Sequence, residues 1–133
     1  MSKIYAISCS QDLVSMGLDR IRTSVEGLDE SEISLDWTKV HLVPIVADEK
    51  MSFNEGESNI VSIKPITISA YAMVFNSFYG ANGMGFSSCI GSLEFKNYFE
   101  ERVANKSMFH SRIKASILPG DLLGQVMIVK GKK

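Results

Sequence analysis

Two cysteines and two histidines are the chain's entire supply of thiolate and neutral-pH base, and no two of them are close in sequence. Cys9 follows the apolar run Ile4–Ile7 and precedes a helical pattern, a position where the helix dipole favours a thiolate. A phosphatase-type loop would need an arginine six residues on, and Ser15 stands there. Catalysis by a reactive Cys9 is therefore carried forward only as the third functional reading. His41, between Val40 and Leu42, reads as a strand contact, and His110, beside Arg112, as a solvent or anion contact. The four residues lack metal-ligand spacing, so no metal and no cofactor is expected. Asp29, Glu30, Glu32 and Asp36 read as a solvated acidic loop, with no acid pair singled out for hydrolysis.

The segment Gly80-Ala81-Asn82-Gly83-Met84-Gly85 lies between a strand pattern and a helix pattern, the placement of a phosphate loop. A Walker loop ends in Lys-Ser/Thr, however, and this one continues Phe86-Ser87-Ser88. Asn82-Gly83 instead suits a two-residue type I′ turn, with the strand Ile66–Tyr79 returning as Gly85–Ile90. Gly83-Met84-Gly85-Phe86 is also loosely similar to the glycine–aromatic core of the first RNP motif in RNA recognition motifs. The opening basic residue is missing, and Met84 occupies an aromatic's place. No family is assigned.

Charge is divided unevenly. Residues 1–94 hold twelve acidic and six basic side chains, a balance of −6, while residues 95–133 hold eight basic and three acidic, a balance of +5. The total of −1 conceals this asymmetry, which bears on partners rather than on fold. Asp48, Glu49, Glu55 and Glu57 mark the acidic side. Arg102, Lys106, His110, Arg112, Lys114 and Lys130 mark the basic side, which ends in the tail Lys130–Lys133.

The elements that must position these residues follow from periodicity. Val14, Leu18, Ile21, Val25 and Leu28 share a helical face, predicting a helix from Gln11 to Glu26. Leu28–Asp36 and Asp48–Asn59 read as loops, and Trp37–Val46 as a strand made an edge by Pro44. Ile60–Phe78 is strand material that Pro65 splits or bulges. Ser92 caps a second predicted helix, Leu93–Ala104, with Phe95, Phe99 and Val103 facing inward. Arg112–Leu118 alternates as a strand. Leu118-Pro119-Gly120-Asp121 suits a type II turn, and Leu122–Val129 makes a final strand.

These elements predict a single α+β domain over residues 1–133, a mostly antiparallel sheet of about six strands with two helices. No apolar stretch approaches a membrane span and no secretory leader is evident, so a cytoplasmic protein without a membrane partner is expected. The leading functional expectation is a non-enzymatic interaction or self-assembly module. It would use the edge strand and meet the acidic segment of one copy with the basic end of another. The alternative is nucleic-acid binding through the basic C-terminal third.

Overall fold

The computed structural model describes residues 4–8, 28–77 and 82–133, with residues 4–8 and 28–32 as backbone only. Among them lie ten strands and no helix: β1 (Ile4–Ser8), β2 (Leu28–Glu32), β3 (Ser34–Val46), β4 (Met51–Phe53), β5 (Ser58–Ile68), β6 (Met73–Ser77), β7 (Gly85–Gly91), β8 (Arg102–Ser111), β9 (Ala115–Ile117) and β10 (Leu122–Lys132). Two antiparallel three-stranded sheets, β3-β10-β6 and β5-β8-β7, make the body. β4 pairs antiparallel with β9, and β1 pairs parallel with β2.

Both sheets turn their apolar side chains into one core. Ile45, Val126 and Ile128 come from the first sheet, Val61, Ile63, Ile66, Ile68, Ala104 and Phe109 from the second. Phe53 of β4 and Ile117 of β9 close one side, and the Phe53 ring meets Phe109 edge-on at 5.4 Å. The period-two pattern of the sequence is what places these residues on one face of each strand.

The α+β expectation is corrected to an all-β arrangement of the described residues. The predicted helix Gln11–Glu26 lies outside them. The second helix, Leu93–Ala104, does not form. Ser92 does accept the cap-like hydrogen bond from Glu94 N, at 2.9 Å. The chain instead closes a turn at Asn97–Glu100 and enters β8 at Arg102. Phe95, Phe99 and Val103 share a helical spacing, yet they are exposed, whereas Ser107, Phe109 and Ser111 alternate into the core. The strand pattern downstream prevails because it buries more surface.

Three loop expectations are also corrected. Leu28–Asp36 supplies β2 and the start of β3. Asp48–Asn59 holds β4 and a turn at Gly56, where φ is +77° and glycine relieves the strain. The Asn82-Gly83 hairpin is absent, for β6 pairs with β10 while β7 pairs with β8. Asn82 Oδ1 accepts from Met84 N and Gly85 N at 3.0 Å each, and its amide donates to the Leu122 carbonyl, so it starts β7 instead. Gly85 itself is required by close approach: a Cβ there would collide with the His110 carbonyl. The RNP likeness fails as well, because β1 lies beside β2 and not beside β7 or β8.

Other expectations hold. β3 is an edge strand of its sheet, and the β5 register breaks between Ser62 and Ile66, around Pro65. Asp121 N donates to the Leu118 carbonyl across the Pro119-Gly120 turn, where Gly120 has φ +94°. The strand expected from Leu122 extends through most of the basic tail, to Lys132.

Candidate interaction surface

Alternation along β3, β10 and β6 fixes which side chains leave the core. Val43, Ile45, Val126, Ile128 and Val74 turn inward. Their neighbours Leu42, Pro44, Met127 and Phe75 turn outward, with Leu42 and Phe75 flanking Met127 in one row. Between the pairs Leu35–Gly131 and Val40–Val129, four residues of β3 oppose Lys130 alone, so Asp36–Lys39 bulges. Asp36 Oδ1 fixes the bulge by accepting from Thr38 N at 3.0 Å and Thr38 Oγ1 at 2.5 Å. Those two bonds hold the Asp36 carboxyl below its ordinary pKa, with Lys39 and Lys132 adding to the effect. Trp37 reaches Phe75 at 5.7 Å, yet 57% of it stays exposed, and Leu42 is 64% exposed. β10 is the sole ladder partner of β3 among the described residues, and within them the other edge of β3 is unpaired.

The outer face of the second sheet mixes polar and apolar side chains. Its rows read Ser58–His110–Phe86, Ile60–Met108–Cys89 and Ser62–Lys106–Gly91. His110 Nδ1 shares a hydrogen with Ser58 Oγ at 2.5 Å, its Nε2 another with Ser88 Oγ at 2.9 Å, and its ring stacks on Phe86. Lys106 Nζ donates to Ser62 Oγ at 2.7 Å. Cys89 is a free, exposed thiol, and Cys9 lies outside the described residues.

The residues singled out by charge do not form two opposed patches. β4–β9 and β5–β8 pairing brings the acidic segment beside the basic one within a single molecule. Glu57 and Lys114 line the same hollow of about 530 Å³. Glu57 accepts from Asn54 N, and Glu49 from Ser62 N, two local roles. Asp48 and Glu55 are exposed, as is Arg112, whose backbone N donates to the Met84 carbonyl. Lys130 stands apart, with Lys39, Lys132 and Asp36, around a groove of about 450 Å³. Sequence reasoning missed Lys39 and Trp37, since only the ladder brings them to the C-terminal lysines.

Arg102 serves differently from a surface cation. Its Nη2 donates to the Ala72 carbonyl at 2.7 Å and, more loosely, to Ser69 at 3.4 Å. Nε is buried without an acceptor, and burial lowers the guanidinium's pKa from its usual value. It borders a groove of about 840 Å³ beneath the 92–101 loop.

Comparison with known proteins adds a relationship and no activity. An uncharacterized protein of Methanocaldococcus jannaschii is 28% identical over 112 residues, covering 78% of this chain and 86% of that relative. No solved structure matches the chain. The family model described as Domain of unknown function DUF22 matches residues 14–114, from ahead of β2 to the end of β8 and beyond it to Lys114, and the chain belongs to that family.

Proposed function

We propose that this protein works by association, a second copy of the chain adding to the free edge of β3. The observation that carries the reading is Leu42, 64% exposed on a strand whose second edge is unpaired among the described residues. A free edge presents backbone donors and acceptors that strand addition satisfies, and the outward apolar row supplies affinity. Lys39 and Pro44 bracket the usable stretch and confine pairing to Val40–Val43. A net charge of −1 leaves little long-range repulsion between copies. The driving force is thus apolar rather than electrostatic. Light scattering at low and high salt should show a concentration-dependent dimer that salt does not dissolve, and Leu42→Asp should return it to monomer. A concentration-independent monomer in both buffers refutes the reading.

One observation favours a second reading. Lys39, Lys130 and Lys132 line one groove and exposed Trp37 lies two residues before Lys39 in β3, a combination resembling the cationic groove and stacking platform of single-strand binders. Fluorescence titration with single-stranded RNA and DNA tests it: Trp37 quenching that weakens steeply with salt supports it, and no binding at low salt removes it.

A further inference from the structure

The groove beneath the 92–101 loop is a second feature, away from the β3 edge. Its volume of about 840 Å³ falls in the range of small-molecule sites. Ile68, Val74 and Ile90 form its apolar floor, and Leu93 and Phe95 stand over it, each 83% exposed. Side chains of that size gain by covering a neighbour, and among the described residues both stay largely uncovered.

At one end lies Arg102. Only Nη2 of its guanidinium is engaged, by two carbonyls that carry no full charge. Among the described residues Nε is buried without an acceptor. A half-buried guanidinium lining a groove, its hydrogen bonds made to neutral carbonyls, is most fully answered by a carboxylate. The nearby Lys96 already faces Glu94 at 3.5 Å, which leaves Arg102 the groove's cation without a carboxylate partner among the described residues. Glu101 lies on the rim and opposes a second negative charge.

We propose that this groove binds an amphipathic monocarboxylate, its head group on Arg102 and its hydrocarbon along Ile68, Val74, Ile90, Leu93 and Phe95. A phosphate dianion is disfavoured by Glu101, and an uncharged lipid leaves the guanidinium unanswered.

Isothermal titration of the full chain with decanoate, decan-1-ol and acetate tests this. Decanoate should bind one to one, the alcohol about tenfold or more weakly, and acetate without saturation. Phe95→Ser removes an exposed side chain, leaves the fold intact and should weaken decanoate and the alcohol alike. Glu101→Gln should tighten decanoate alone. Arg102→Gln should abolish the preference for the acid. Should that variant fail to fold, the acid–alcohol comparison and Glu101→Gln decide the matter. Equal affinity for acid and alcohol, no saturable decanoate binding, or an unchanged Phe95→Ser affinity overturns the proposal. Repeating the titration on Leu42→Asp separates this site from association at β3.

Discussion

The two three-stranded sheets share one core and differ in what they show to water. The outer face of β5-β8-β7 carries Ile60, Met108 and Phe86 too, but its Ser58, His110, Ser88, Ser62 and Lys106 are joined in cross-strand hydrogen bonds. The outer face of β3-β10-β6 carries Leu42, Met127, Phe75 and Trp37 beside Gln125 and Ser77, with no cross-strand side-chain hydrogen bond on it among the described residues. A hydrogen-bonded polar face is comfortable when wet. An apolar face gains about 25 cal/mol for each Å² withdrawn from water. The difference teaches that strand pairing alone does not say which sheet is finished: on the association proposed above, the second is complete as a monomer and the first awaits a partner copy.

The comparison assumes a core common to both sheets. Phe109→Ala, at a fully buried position against Phe53, should therefore cost about 3–5 kcal/mol in a single urea transition seen by every probe. Loss confined to one sheet would break the assumption. On the finished sheet, Gly85→Ala forces a methyl group against the His110 carbonyl and should cost roughly 1–3 kcal/mol, read from the urea midpoint. On the unfinished sheet, Leu42→Asp should leave monomer stability within about 0.5 kcal/mol, while the dimer's Kd rises by roughly tenfold or more. A matching fall in urea stability would mean that Leu42 already packs within the monomer. His110→Ala removes two serine contacts and should cost about 0.5–1.5 kcal/mol, with the mass distribution in light scattering unaltered.

The smallest effect concerns the bulge in β3. Asp36 titrates below its ordinary value in the folded chain, so its contribution to stability is present above the unfolded pKa. That contribution disappears as pH falls through the folded pKa. Thr38→Ala should raise the Asp36 pKa toward that of a free side chain, measurable by carboxyl NMR titration. An unmoved titration would show that Lys39 and Lys132 hold the carboxylate by themselves.

Much of the strand content was readable from the residues, because alternation is local. The edge position of β3 followed from Pro44, the break in β5 from Pro65, and the turn at Gly120 from its Pro-Gly pair. The helix expected at Leu93–Ala104 was misread because Phe95, Phe99 and Val103 satisfy a helical period by chance of spacing. Only the tertiary demand on Ser107, Phe109 and Ser111 reveals β8. Asn82-Gly83 carried a true turn signal but led to the wrong partner, since ladder choice is set by contacts distant in sequence. Among the site residues, Arg102 was visible as a cation. Its binding to the Ala72 carbonyl depends on how Ser69–Ala72 is folded, with Tyr71 at φ +63°, and spacing does not encode that. The division of charge along the chain was real in sequence and was dispersed in space by the β4–β9 and β5–β8 pairings.

One side chain has a further consequence. β6 and β7 are the terminal strands of their sheets, and where they meet, the Asn76 amide donates to the Ser87 carbonyl at 2.7 Å, beside a Ser87 hydroxyl that has no partner. A seam fastened by an amide in place of a backbone ladder should open more readily than the ladders on either side of it. Deuterium should enter there first, and the protection of β6 and β7 should decay well before that of β8 and β10, measuring how often the two halves of the body part.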